Sequence, residues 1–407
     1  MITYGLCLGG GGSRGAYQVG VWKALIELNI KISHVVGTSI GAINGAFICE
    51  GDYDKLYELW RAANFSSCFK FNGEIYNNYK LTSKDIPCIV KTFLEYGGLN
   101  PMPLRKLLKD NISEEIIRNS PINFGIVTLC VSVLKPLELF VEDIPLNELL
   151  DYIMASASLP GFKKLLINGE SFIDGGIYSN LPSEMLIRKN CFHIIEVDIE
   201  GPGLKRKIKN KDEFDIIKIK PKEDLGSILN FEPELILRNM KLGYLDTLKA
   251  FGKLKGIYYY FNNFNAIPSI LKQLTISEID LILKSIGYSD SFYNNIAFFR
   301  SLKCLKYNIR NLVSNSEESL LIAMEITAET LNISKYKIYS YRHMLKEIIE
   351  ITNSNQINKE YLLMNNCDIT NNSLKEVIFR KSLAITLPKD FISHMFIGII
   401  KYRLVHK

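Results

Sequence analysis

Val35-Val36-Gly37-Thr38-Ser39-Ile40-Gly41 is the stretch that decides the fold of this chain, because an apolar strand here runs into a helix through one serine between two glycines. The glycines leave room for a sharp turn that pushes the Ser39 hydroxyl outward, as in a nucleophile elbow. A helix N-cap serine is the simpler alternative. The position between a strand and a helix favours a nucleophile.

A second glycine-rich turn precedes the elbow, in Leu6-Cys7-Leu8-Gly9-Gly10-Gly11-Gly12-Ser13-Arg14-Gly15. Such a loop can bring several backbone N–H groups to one point at a helix N-terminus, where they stabilise developing negative charge. Arg14 is either a cation beside them or the partner of a structural carboxylate. Together, the loop and the elbow predict acyl transfer.

The glycine loop also fits the pattern Gly-x-Gly-x-x-Gly of dinucleotide-binding folds. That site requires an acidic residue about 20 positions later, at the end of the second strand. Here the second strand ends in Gly37-Thr38-Ser39, without a carboxylate, and no P-loop pattern occurs. We therefore expect no nucleotide cofactor, and no other cofactor is indicated.

A catalytic serine needs a base, and no histidine is obviously placed to serve. His34 begins the strand that leads to the elbow, and His193 lies inside a predicted strand. The other three histidines fall in the C-terminal part of the chain: His343, His394 and His406. A Ser-His-Asp esterase that uses His193 remains an alternative.

Asp174 is the better partner for Ser39. It follows the apolar pair Phe172-Ile173 and precedes Gly175 and Gly176, which keep its surroundings open. A simple turn aspartate is the alternative. Because an ordinary aspartate, with a pKa near 3.9, is a weak base for serine, we expect Asp174 to be partly desolvated and held close to Ser39.

Apolar strands alternate with helical patterns over the first 200 residues, which predicts an α/β domain with a mainly parallel, buried sheet. Beyond about Asn265 the pattern becomes helical. We expect one domain over residues 1–255 and a helical region over 265–407. The helical segments are predicted at 275–286, 317–332, 334–350 and 373–385.

Composition limits the partners and the compartment. The formal charge of +6 over 407 residues is too small to indicate nucleic-acid binding, and the basic run 205–211 is interpreted as a solvated loop. Eight scattered cysteines without a Cys-x-x-Cys pair predict reduced thiols and no metal site. The N-terminus does not resemble a signal peptide, and no apolar run reaches the ~18 residues of a membrane span. We expect a cytoplasmic protein, with peripheral contact with an anionic membrane left open.

The last helical pattern, residues 391–405, carries a row of apolar side chains followed by basic residues. It fits an amphipathic interfacial anchor. Packing within the helical region explains the same pattern.

The four ordered motifs resemble the patatin-like phospholipase family over roughly residues 3–255. Gly10–Gly15 is similar to the family's oxyanion block and includes its basic residue at Arg14. The elbow with Gly37 and Gly41 is similar to the nucleophile block. The stretch Ala155-Ser156-Ala157-Ser158-Leu159-Pro160-Gly161 and the triplet Asp174-Gly175-Gly176 are similar to the two blocks that follow.

The resemblance implies a three-layer α/β/α fold and hydrolysis of acyl esters of lipids or phospholipids. It implies a Ser39–Asp174 dyad, an acyl-enzyme on Ser39, and an oxyanion site at Gly10–Gly12 helped by Arg14. The alternative from another class is a catalytically weak lipid-sensing or scaffold protein that keeps the pocket. The motifs do not indicate an oligomeric state.

Overall fold

The computed structural model describes residues 2–70, 98–163, 165–208, 210–262, 268–271, 316–353 and 388–405. The chain divides into two compact units, Met1–Phe251 and Gly252–Lys407. The boundary after Phe251 lies four residues before residue 255, where the sequence predicts the first domain to end. Three sequence predictions lie outside the described residues: the helical segments 275–286 and 373–385, and Lys209 of the basic run.

A mainly parallel sheet forms the centre of the first unit. Strands β1, β2, β3, β7 and β8 are parallel, whereas β4, β5 and β6 pair antiparallel. The order is β5-β6-β3-β2-β1-β7-β8, with β4 on the other edge of β3. The strands are β1 Thr3–Leu8, β2 Lys31–Thr38, β3 Asn123–Cys130, β4 Lys135–Phe140, β5 Leu165–Ile167, β6 Glu170–Asp174, β7 His193–Val197 and β8 Asp215–Ile219.

Helices cover both faces of this sheet. Gly45 of α2 lies against Val35 of β2 on one face. Leu186 of α9 packs with Val36 on the other; consecutive strand residues point to opposite faces. The predicted α/β fold with a mainly parallel sheet is therefore confirmed, in three layers. The helices are α1 Ala16–Glu27, α2 Ile40–Glu50, α3 Tyr53–Ala62, α4 Phe65–Cys68, α5 Met102–Asn111, α6 Glu114–Arg118, α7 Leu149–Ser156, α8 Gly176–Ser179, α9 Ser183–Arg188 and α10 Pro233–Ala250.

The register of β3 brings two distant strand ends together. β2 ends at Thr38, which pairs with Val127 of β3. β6 runs the opposite way and ends at Asp174, which pairs with the next residue, Thr128. Since β4 occupies the other edge of β3, β2 and β6 share one edge and meet end to end. Ser39, which follows Thr38, is thereby placed beside Asp174.

The second unit combines a small sheet with helices around its own apolar core. β10 pairs antiparallel with β9 and parallel with β11. The predicted helix 334–350 begins only at Tyr341, because residues 338–339 join this sheet. The elements are β9 Leu254–Lys255, β10 Tyr260–Asn262, α11 Ser316–Thr330, β11 Ile338–Tyr339, α12 Tyr341–Asn353 and α13 Pro388–Val405.

The interpretation of residues 391–405 as an exposed interfacial anchor is wrong. Met395, Phe396, Ile399 and Ile400 are buried in the core of the second unit. The packing alternative explains the pattern, since α13 lies against α11. Among the described helices, none is both long and apolar enough to span a bilayer.

Candidate active site

Ser39 occupies a strained turn between β2 and α2. Its backbone has φ +58° and ψ −124°, a left-handed region that is costly for a residue with a side chain and often marks functional sites. A Cβ at Gly37 would lie 2.3 Å from the Gly41 carbonyl, and one at Gly41 would lie 2.2 Å from Leu8 O. Both elbow glycines are therefore required by close backbone contacts.

Ser156 links the two candidate catalytic residues. Its Oγ accepts a hydrogen bond from the Ser39 N–H at 2.9 Å, and its carbonyl accepts one from the Gly175 N–H at 3.3 Å. The Asp174 N–H donates to the Ser158 carbonyl at 2.8 Å. The segment 156–158 therefore positions both Ser39 and Asp174. Sequence reasoning included this segment only as a motif and missed its role.

Replacing Ser156 with alanine is expected to lower both turnover and the free energy of unfolding. The change leaves the buried Ser39 N–H without its acceptor, at a cost of about 1–3 kcal/mol. Ser158→Ala is the matched control, because Ser158 contacts Asp174 through its backbone carbonyl, which alanine retains. Urea denaturation and ester turnover of the two variants test this. Equal behaviour of both variants would contradict the assigned role of the Ser156 hydroxyl.

The carboxylate of Asp174 is buried, with the residue only 4% exposed. Oδ1 accepts a hydrogen bond from the Gly176 N–H at 2.7 Å. Oδ2 is buried without a hydrogen-bond partner among the described residues. Burial raises the pKa of Asp174 to about 6, although the nearby Ser39 hydroxyl and the Gly176 N–H both act to lower it. The Ser39 hydroxyl is thus close to Asp174, but no hydrogen bond of standard geometry reaches Oδ2.

The glycine loop lies directly beside the elbow, but its N–H groups are not equivalent. The Gly10 N–H donates to Asn180, to the carbonyl at 3.2 Å and to Oδ1 at 3.1 Å. For Gly11 and Gly12, no acceptor is found among the described residues. Gly12 has φ +56°, and a Cβ there would lie 2.1 Å from Ile228 O. The two glycines with available N–H groups are therefore Gly11 and Gly12.

Asn180 is a positioning residue of the candidate site that sequence reasoning missed. Besides accepting from Gly10, its Nδ2 donates to the Gly201 carbonyl at 3.2 Å, and its N–H donates to Leu204 O at 2.7 Å. It therefore ties the glycine loop to the loop after β7. An asparagine six residues after Asp174 gives no sequence signal for this role.

Arg14 binds two neighbouring loops. Its Nε donates to the Gly226 carbonyl at 2.7 Å and its NH1 donates to the Glu200 carbonyl. The exposed Asp224 carboxylate lies 4.0 Å from NH2. Of the two predicted roles, these contacts favour the structural one, because the guanidinium is engaged with carbonyl groups of loops 198–204 and 224–231.

Two clefts open at the candidate dyad. The first, of about 90 Å³, has an almost entirely apolar lining, includes Ser39 and Gly12, and runs between α2, α3 and α5. The second, of about 410 Å³, includes Asp174 and Gly176. Both clefts are bordered by three shared side chains: Leu159, Phe162 and Leu229.

A buried chain of hydrogen bonds joins the wall of the first cleft to the glycine loop. The Trp60 indole N–H donates to Asn44 Oδ1 at 2.9 Å, and Asn44 Nδ2 donates to Gln18 Oε1 at 2.8 Å. Gln18 Nε2 then donates to the Gly9 carbonyl at 2.7 Å. This chain holds α1, α2 and α3 in fixed register behind the loop.

The histidines of the first unit lie away from Ser39. His193 opens β7 and contacts Asp215 at 2.8 Å. It is therefore at the opposite end of the sheet from Ser39, at least four residue rises, or roughly 13 Å, away. His34 contacts Ser33 and Cys191. Among the described residues, no group of three or more His, Cys, Asp or Glu side chains is arranged to hold a metal ion.

Part of the chain matches the model of a known protein family. The model of the family "Patatin-like phospholipase" matches residues 6–187. The chain is 27% identical over 201 residues to Neuropathy target esterase sws of Drosophila melanogaster, covering 48% of this chain and 13% of that protein. It is 28% identical over 262 residues to Lysophospholipase NTE1 of Eremothecium gossypii, covering 63% of this chain and 16% of that protein. The chain thus spans about one seventh of the length of these relatives.

Solved structures were also compared with the chain. VipD from Legionella pneumophila aligns over 98% of this chain and 91% of its own, with 14% identity and a TM-score of 0.38. The four motifs, their meeting at one end of the sheet, and the matched family model together identify residues 6–187 as a patatin-like phospholipase domain.

Proposed function

We propose that the first unit is a lipid acyl hydrolase that uses Ser39 as nucleophile and Asp174 as base. The observation that carries this proposal is the buried Asp174 carboxylate, whose Oδ2 has no partner among the described residues, beside a serine in a strained elbow. A buried acceptor without a donor is costly. Transfer of the Ser39 proton to Oδ2 would form an O–H bond there and neutralise the buried carboxylate. The matched family and the lysophospholipase among the relatives support the same chemistry.

The proposed reaction proceeds through an acyl-enzyme. Ser39 Oγ bonds to the ester carbonyl carbon while its proton moves to Asp174, and the N–H groups of Gly11 and Gly12 stabilise the oxyanion. Collapse of this intermediate breaks the bond to the alcohol, which takes the proton from Asp174. Water then attacks the acyl group and gives a proton to Asp174. Release of the fatty acid returns that proton to Ser39.

In this proposal the glycine loop and Arg14 have different roles. Gly10 shapes the loop, since its N–H is bonded to Asn180, and the donors are Gly11 and Gly12. Arg14 holds the loops at Glu200 and Gly226 in place. The apolar cleft beside Ser39 accommodates the acyl chain, because its lining offers almost no group that could replace water around a polar substrate.

Covalent labelling tests the proposal directly. A fluorophosphonate should label the wild-type protein at Ser39, as located by mass spectrometry, and should not label Ser39→Ala. No labelling of the folded protein would favour the catalytically weak lipid-sensing or scaffold alternative, and labelling only at another residue would exclude Ser39 as the nucleophile.

The pH dependence of kcat/KM provides a second test. As a general base, Asp174 must be ionised in the free enzyme. Since its pKa is raised to about 6, kcat/KM should fall about tenfold per pH unit below that value. A soluble p-nitrophenyl ester allows the measurement. A rate that stays constant down to pH 4 would exclude Asp174 as the base with the pKa described here.

A further inference from the structure

The turn between β3 and β4 carries exposed apolar side chains where polar turn residues are expected. Leu134 is 79% exposed and Val133 is 62% exposed, and Val131 is also exposed. Leu134 has φ +51°, a left-handed conformation that is unfavourable for a branched apolar residue. Neither burial nor turn geometry explains this sequence.

The neighbouring strands support and extend this apolar turn. The Val131 N–H donates to the Ser171 carbonyl at 2.7 Å, and the Ser171 N–H donates to Ser132 Oγ at 2.9 Å. Leu166, 63% exposed, pairs with Ser171 across β5 and β6. We call Val131, Val133, Leu134 and Leu166 the apolar tip.

The apolar tip lies at the catalytic end of the sheet. Thr128 of β3 pairs with Asp174, and Val131 is three residues further along the chain, or roughly 10 Å. Two other apolar side chains at this end, Ile177 and Leu204, are also exposed. Ile177 lines the cleft at Asp174, and the Leu204 N–H bonds to the Gly176 carbonyl.

Two exposed lysines flank the apolar tip: Lys135 follows Leu134, and Lys163 precedes β5. The acidic neighbours are the exposed Glu170 on β6 and the half-buried Glu148, which accepts a hydrogen bond from Asn168 in the turn between β5 and β6. Exposed apolar residues flanked by lysines suit a surface with anionic head groups above hydrocarbon. The lysines would contact the head groups, and Val133 and Leu134 would enter the apolar layer.

We propose that the apolar tip docks the first unit on anionic phospholipid membranes, with the clefts at Ser39 and Asp174 facing the bilayer. This proposal rests on the proposed function, since a lipid acyl chain must pass from the bilayer into the cleft. Docking at the tip places the catalytic residues near the membrane surface without a spanning segment.

The test compares two variants of the full chain in a Ser39→Ala background, which prevents vesicle hydrolysis. One carries Val133→Asn and Leu134→Asn; asparagine tolerates the left-handed backbone at 134. The matched control carries Ile2→Asn, because Ile2 is 56% exposed but precedes β1, at the opposite end of the sheet from Ser39. Binding is measured by co-sedimentation with vesicles of equal parts phosphatidylcholine and phosphatidylglycerol.

The tip variant should lose at least about tenfold in vesicle partitioning, since two large apolar side chains no longer enter the bilayer, whereas the control should bind like the parent.

With Ser39 restored, the tip variant should hydrolyse vesicle lipid more slowly but turn over p-nitrophenyl butyrate normally. Unchanged binding, equal loss in the control, or a parallel loss on the soluble ester would overturn the proposal. A change in oligomeric state with binding intact would also overturn it, in favour of pairing between copies. Intact tip-dependent binding by a wild-type protein inactive on both substrates would reject the proposed function alone.

Discussion

Replacing Ser39 with alanine is expected to reduce ester hydrolysis by at least about 10⁴-fold, the scale of loss when a catalytic nucleophile is removed. The fold should persist, because alanine keeps the Cβ and retains the backbone N–H that bonds to Ser156. The loss should therefore appear in kcat while the urea midpoint stays close to that of the wild type. Initial rates on a p-nitrophenyl ester and on phospholipid vesicles measure it.

Ser158→Ala is the appropriate control for this experiment. Ser158 lies close to the dyad and has a hydroxyl like that of Ser39, but its recorded contact with Asp174 uses the backbone. Its turnover should remain near the wild-type value. If Ser39→Ala retained wild-type turnover, the dyad would be excluded whatever the pocket binds.

Replacing Asp174 with asparagine is expected to lower kcat about 10⁴-fold and, at neutral pH, to stabilise the fold. Asparagine still offers an oxygen to the Gly176 N–H but cannot take the Ser39 proton. The wild-type carboxylate is ionised at pH 7 in a buried site. Raising its pKa from 3.8 to about 6 costs as much as roughly 3 kcal/mol of folding free energy at that pH.

The raised pKa of Asp174 determines the pH range over which this residue changes the free energy of unfolding. Between pH 3.8 and about 6, the folded protein holds the Asp174 proton more tightly than the unfolded chain does. The wild type therefore loses stability as pH rises through this range, and the loss is complete above it. The stability gained by Asp174→Asn should grow from pH 4 to pH 6 and then level off. A constant difference across pH, measured by urea denaturation, would contradict the raised pKa.

The variant Asp174→Glu tests whether the position of the carboxylate matters as well as its charge. Glutamate keeps the carboxylate but moves it by one methylene, so turnover should fall although an ionisable group remains. Wild-type turnover in this variant would show that base placement is not demanding. Wild-type turnover in Asp174→Asn would remove Asp174 from the mechanism.

Local chemistry made much of the site predictable. Gly37 and Gly41 mark the elbow because backbone lies within about 2.3 Å of where their side chains would begin, and only glycine fits such contacts. The alternation of short apolar strands and helices predicted the parallel sheet, since a sheet buried on both faces requires continuous apolar strands. The absence of an acid after the second strand argued against a dinucleotide site from sequence alone.

Local sequence signals could not distinguish between residues of the same type, or between two roles that one residue or segment could have. Gly10, Gly11 and Gly12 are identical in sequence, and only the position of Asn180 shows that the Gly10 N–H is already bonded. Arg14 was equally compatible with an oxyanion cation and a loop anchor until its carbonyl partners were seen. The apolar row of residues 391–405 fitted a membrane anchor as well as a core helix, and its burial decided for the core.

By itself, therefore, the sequence determined which residues can react: a serine in an elbow, a glycine loop and an aspartate framed by glycines. Those signals are local, because each depends on backbone conformations that neighbouring residues impose. Only the tertiary structure decided that the strand ends at Thr38, just before Ser39, and at Asp174 meet side by side on β3. Only the tertiary structure decided, too, that Asp174 is buried, which raises its pKa to about 6. Register and desolvation depend on residues distant in the chain, and no local pattern records them.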